Sequence, residues 1–163
     1  RVLFRSWKQY PLTKMSDSEQ LHFKIGLSGT YWSKSPVYSI LVNDKIIVDH
    51  KTVTAATDEV FYEEFDYAAQ EGPMTLKIRL ENKDNGDTVE NEDKTAFIKD
   101  MVLNIKTVEI DEIDIGNLIY TNSKFVGDDP ARPVLDNCIN LGWNGAWTFP
   151  FESPFYIWLL TNL

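Results

Sequence analysis

The sequence predicts an all-β fold, a sandwich or barrel of about nine short antiparallel strands. Three observations carry this. Apolar and polar residues alternate with a period of two in one segment after another, as strands with one buried face require. Apolar residues at helical spacing are nearly absent. Polar or Gly/Pro turns separate the alternating segments. A chain of 163 residues suits one domain, residues 1–163, large enough to bury about two-thirds of its unfolded surface.

Taken in order, the first expected strands cover residues 2–8 and 21–28, the second placing His22 on the face opposite Leu21 and Phe23. Residues 37–42 and 45–51 read as a hairpin turning at Asn43–Asp44, residue types that tolerate the left-handed backbone of tight hairpins. Residues 60–68 mix Val60, Phe61, Tyr62, Phe65 and Tyr67 in a pattern read as a strand. After Gly72–Pro73, Leu76, Ile78 and Leu80 alternate with polar neighbours over 74–82. The longest expected strand, 101–115, pairs Leu103 with Ile105, Val108 with Ile110 and Ile113 with Ile115. Its phase slips at Thr107–Val108, which a β-bulge would absorb. Residues 121–140 read as a long surface loop. The final expected strands are 145–151 and 155–161. The latter is apolar on both faces, so either the rest of the chain or a neighbouring subunit must cover it.

Composition narrows the partners. A hydrophobic fraction of 43% argues for a packed core rather than disorder. The net charge of −9, without any Lys/Arg cluster, excludes nucleic acid and disfavours anionic membranes. No apolar run approaches the ~20 residues of a membrane span, so no membrane insertion is expected. Cys138 stands alone, which excludes an internal disulfide and a zinc-finger type of site; it reads as a small buried apolar residue.

Catalytic signatures are missing. His22 and His50 are the only imidazoles, and neither a nucleophile elbow nor a phosphate loop is present. No enzyme is expected. Two binding constellations remain. Between the strands at 74–82 and 101–115 lies an oxygen-rich loop whose Asp84, Asp87, Glu90 and Asp93 are candidate metal ligands. Calcium takes six to eight such oxygens, and a merely solvated loop is the competing reading. Asp128 and Asp129, with Asp136, would join them only if the fold brings the two loops together. Sugar rings stack on flat aromatic side chains while amides and carboxylates bind the hydroxyls. Trp32, Trp143 and Asn144 are the candidate carbohydrate-binding residues; Trp7, Trp147 and Trp158 sit in strand patterns and read as core.

The succession ILVNDKIIVDH, FYEEFDYAA, Gly-Pro, MTLKIRLENK, a polar loop and VLNIKTVEIDEIDIG resembles small jelly-roll carbohydrate-binding modules. Those that bind xylan-like polysaccharides through calcium are the nearest in pattern. LNIKTVEIDEIDIGNLIY and the ending SPFYIWLLTNL resemble uncharacterised virion-associated proteins of tailed phages, especially cyanobacterial myoviruses. Together the resemblances imply a single-domain β-sandwich of jelly-roll type and no catalysis. They imply a virion protein that decorates a capsid or tail, or attaches to the host surface. Other subunits would be its partners, docked through Phe155, Tyr156, Trp158 and Leu160. The alternative they imply is a calcium-dependent polysaccharide-binding module.

Overall fold

Strand β1 (Ser18–Thr30) completely buries Leu21, Phe23, Ile25 and Leu27, the face that alternation in the sequence assigns to the core. The computed structural model describes residues 18–163, so the expected strand 2–8 and Trp7 lie outside the described residues. After β1 come β2 (Val37–Val42), β3 (Lys45–Thr52), β4 (Phe61–Gln70) and β5 (Gly72–Leu80). A short hairpin, β6 (Val89–Glu90) and β7 (Phe97–Lys99), precedes β8 (Val102–Ile110), β9 (Ile113–Asp114) and the single turn α1 (Leu118–Thr121). The chain ends with β10 (Lys124–Gly127), β11 (Leu135–Asp136), β12 (Asn140–Leu141), β13 (Gly145–Ser153) and the helix α2 (Phe155–Asn162).

These strands form two antiparallel sheets packed face to face, a β-sandwich. One runs β12-β8-β1-β4, with β9 folded back on β8; the other runs β11-β10-β13-β5-β2-β3. Between them lie the β1 residues above, Leu103, Ile105, Val108 and Ile110 of β8, Leu76, Ile78 and Leu80 of β5, and Trp147 and Phe149 of β13, all fully buried. Each such large side chain stabilises the fold by about 1.5–3 kcal/mol on leaving water. Where the sandwich opens between the edge strands β3 and β4, Glu63 turns inward and accepts hydrogen bonds from the Tyr38 hydroxyl and the Lys51 ammonium. Among the described residues no helix is long and apolar enough to cross a membrane.

The hairpin at Asn43–Asp44 has both residues in the left-handed region, with φ of 48° and 63°. The phase slip in β8 is a bulge, one residue upstream of its expected place. Gly26 pairs with Thr107 and Leu27 with Ile105, leaving Lys106 as the extra, exposed residue. Cys138 is half-buried rather than buried, and its thiol donates to the Asn140 carbonyl at 3.2 Å.

Two expectations are corrected. The stretch 121–140 is not a featureless loop, because Lys124–Gly127 enters the second sheet as β10 beside β13. The expected last strand, 155–161, is the helix α2. Pro154 precedes it, and the Glu19 carboxylate accepts from the Phe155 amide at 2.7 Å, an anion placed at a helix start. Phe155, Trp158 and Leu159, spaced i, i+3, i+4, face the sheet, with Trp158 edge-on to Phe149 at 5.8 Å. The opposite face holds Tyr156, Ile157 and Leu160. With both faces apolar, neither a two-residue nor a 3.6-residue contrast shows in the sequence.

Candidate functional site

At one end of the sandwich the loop from β5 to β8 meets the loop from β10 to β13. The meeting is built from backbone-like bonds. The Asn144 amide accepts from the Lys83 N–H at 2.8 Å and donates to the Lys83 carbonyl at 2.9 Å, while the Asp128 N–H donates to the Asn144 carbonyl. Arg79, on β5, grips both oxygens of Asp128 at 2.9 Å. A cleft of about 700 Å³ opens between the loops, within the size range of small-molecule sites. The condition set by the sequence is therefore met: Asp84 and Glu90 from one loop and Asp128 and Asp129 from the other line one cleft.

Its polar floor is the pair Lys83–Asp100, 2.6 Å apart with side chains only 10% and 20% exposed. Asp100 also accepts from the Thr88 hydroxyl and the Met101 amide. Burial alone would push the Asp100 carboxyl up, but these donors more than reverse it and hold the carboxyl below the ordinary carboxylate range. Because the folded-state value is depressed, the resulting stability is full above the ordinary carboxylate pKa and is lost as pH falls through the lower, folded-state one. Replacing Lys83 with Met should thus cost about 1–2 kcal/mol near neutral pH. It should also flatten the acid limb of stability between about pH 5 and pH 2. Urea melts across that range check both; an unchanged acid limb would show that Asp100 owes nothing to Lys83.

The apolar walls are aromatic. Phe97, on β7, is 65% exposed at the cleft. Trp143 is half-buried, braced against Phe125 at 5.4 Å and covered by the Arg132 guanidinium at 4.6 Å. Its indole lies so close to Gly127 that a Cβ there would fall 2.7 Å from Nε1.

The other expected site residues are scattered. Trp32 is 44% exposed but does not line the cleft; its indole donates to the Asp87 carbonyl and Lys99 sits over its ring. Asn144, expected to bind sugar hydroxyls, has its amide engaged in joining the two loops. Asp87 is only 4% exposed: its carboxylate takes the Asp84 N–H, the Ser33 hydroxyl and the Lys34 ammonium. Burial raises the Asp87 carboxyl, but these bonds outweigh it and the net shift is downward. Asp93 is exposed in the β6–β7 turn and does not line the cleft. Asp136 lies near Lys124, away from it.

The candidate metal ligands Asp84, Asp87, Glu90 and Asp93 are not gathered into a calcium site among the described residues. Asp84, Asp87, Asp100 and Asp128 are paired with Lys34, Lys83 or Arg79. Among the described residues no three His, Cys, Asp or Glu side chains converge to share a metal. Phe97, Arg132, Lys83 and Asp100 were missed in the sequence. Only Phe97 left a signal there, as an aromatic beside Ile98 within an otherwise polar loop.

No family model matches the chain, and no curated protein does. Two solved structures match. One is vCBM60 in complex with galactobiose, at 12% identity and a TM-score of 0.48, covering 78% of this chain and 96% of that one. The other is a selenomethionine form of vCBM60, described in connection with two families of calcium-dependent carbohydrate-binding modules. It has 12% identity and a TM-score of 0.49, covering 79% of this chain and 89% of the other. Neither likeness carries the reading of the cleft, which rests on the groups that line it.

Proposed function

We propose that the chain is a non-catalytic glycan-binding domain, gripping a neutral saccharide in the cleft between the β5–β8 and β10–β13 loops. The observation that carries this is one wall presenting the exposed Phe97 ring beside acceptors and donors left free by the fold. Glu90, Asn85 and Arg132 line the cleft, all three exposed, with the Arg132 guanidinium over the Trp143 ring. Sugar rings need that combination: an apolar face to cover their C–H side, and both donors and acceptors for their hydroxyls. Of the five carboxylates lining the cleft, Asp84, Asp100 and Asp128 are in ion pairs. Glu90 and Asp129 outnumber the remaining cation, Arg132, a mild acidic excess that opposes uronic acids and other anionic sugars. Catalysis has no support from the carboxylates with resolved shifts. Asp87 and Asp100 are both held ionised at neutral pH, whereas a general acid must keep its proton there.

A panel of neutral and uronic-acid polysaccharides, read by calorimetry, tests the proposal. Binding of a neutral glycan but not of its acidic counterparts is expected; no binding to any of them overturns it. Arms with calcium and with EDTA extend the test to the calcium-dependent alternative. Calcium that raised both affinity and Tm would favour that alternative; affinity and Tm unchanged by EDTA would exclude it. Display of the domain on a phage particle, where it would grip host-surface glycans, rests on the resemblance in LNIKTVEIDEIDIG and SPFYIWLLTNL alone.

A further inference from the structure

The sequence holds two Asn-Gly steps, Asn85–Gly86 and Asn144–Gly145, and the fold sets both asparagines in the wall of the cleft. At such a step the glycine nitrogen attacks the asparagine side-chain amide readily, because glycine has no Cβ to obstruct the approach. The two steps differ in every structural respect on which this reaction depends. We propose that Asn85 is a site of spontaneous self-modification, converting to aspartate or isoaspartate and adding a carboxylate to the cleft, while the fold holds Asn144 inert.

The reaction needs a free side-chain amide and a glycine nitrogen able to turn onto its carbon. Asn144 has neither. Its amide accepts from the Lys83 N–H at 2.8 Å and donates to the Lys83 carbonyl at 2.9 Å. Gly145 is fixed between β10 and β5, opposite Gly127 and Leu80, where an added Cβ would fall 2.4 Å from the Val126 carbonyl oxygen. Asn85 has both. It and Gly86 are exposed, and its side chain has no hydrogen-bond partner among the described residues. A Cβ on Gly86 would meet nothing within 4 Å. The turn is pinned at its ends: the Asp87 N–H donates to the Asp84 carbonyl at 3.0 Å, and the Asp84 N–H to the Asp87 carboxylate at 2.7 Å. The peptide plane between Asn85 and Gly86 turns without breaking either bond, which brings the Gly86 nitrogen to Asn85 Cγ.

In the first step the bond from Gly86 N to Asn85 Cγ forms and the Cγ–Nδ2 bond breaks. Ammonia leaves with the Gly86 amide proton. Water then opens the cyclic imide at either carbonyl, so no oxidant or cofactor is consumed. The new carboxylate joins Glu90 and Asp129 against Arg132, and an amide donor is lost from the cleft wall. Its effect on affinity rests on the sugar-binding reading; the modification itself does not.

Peptide mapping by mass spectrometry, on the full chain kept in mildly alkaline buffer with and without urea, tests the proposal. In the native chain Asn85 should take on the mass of an amide-to-acid change at least about tenfold faster than Asn144, whose two hydrogen bonds must open first. In urea the two rates should converge. Gly86→Ala, which the open space accommodates, should slow conversion several-fold and leave Tm within about 1 °C of the parent. Equal native rates, faster change at Asn144, or a difference that survives in urea each overturn the proposal. So does an Asn85 that stays intact in the native chain while it converts in urea. Asn85→Asp, the product of the reaction, should bind a neutral glycan about threefold more weakly. Glycan binding by neither protein would count against the sugar reading and leave the mapping result to decide the modification.

Discussion

Replacing Phe97 with alanine is expected to weaken glycan binding about tenfold, near 1.4 kcal/mol, while leaving Tm within about 1 °C of the parent. The two halves of that expectation have one cause. A ring that is 65% exposed on a short hairpin contributes little to the core, so its removal costs the fold little. The same exposure makes it the aromatic face that a sugar can cover. Trp143→Ala provides the contrast. That side chain supports Arg132 from below and packs on Phe125, so its loss should weaken both binding and stability, the latter by about 2 kcal/mol. Titration calorimetry and thermal melts of both variants separate the roles. Unchanged binding in Phe97→Ala would mean that the sugar, if bound, lies elsewhere.

The largest effect on folding is expected from Gly145→Ala. An added Cβ would lie 2.4 Å from the Val126 carbonyl oxygen and 2.8 Å from the Gly127 Cα. Both are backbone atoms of β10, the strand that pairs with β13 at that point, so no flexible side chain can yield. The variant should lose about 2–4 kcal/mol and about 10 °C in Tm. Because β10 leads directly into Asp128, glycan binding should fall with it. At Gly127 the crowding atom belongs instead to Trp143, so Gly127→Ala should cost less stability and act mainly by displacing the indole. Equal Tm values for Gly145→Ala and the parent would exclude this account of the β10–β13 contact.

Strands with one buried face were legible because burial imposes a period of two on the residues themselves: Leu21, Phe23, Ile25 and Leu27 of β1 and Leu76, Ile78 and Leu80 of β5 are the buried positions of that pattern. The bulge was legible for the same reason, as a break in the period. Strand β10 was not, since Lys124–Gly127 is too short to show a pattern, and its place in the sheet comes only from pairing with Trp147 and its neighbours. Helix α2 was misread because both of its faces are apolar; its state is decided by Pro154 and by a carboxylate 136 residues away in sequence.

The candidate site divides along the same line. The sequence alone established an all-β domain, an acidic loop after β5, a second acidic pair at Asp128–Asp129 and a tryptophan at 143. Tertiary structure decided which of these meet. It brought the two loops to one cleft through Asn144 and Arg79, and it turned Asp87 inward to Lys34. It also paired Asp84 and Asp87 with Lys34 and placed Phe97 where a ligand can reach it. Local patterning is written by burial along a single strand, so it can be read from one segment. Charge pairing and cleft formation depend on residues 17 to 61 positions apart, and only the folded chain selects those partners.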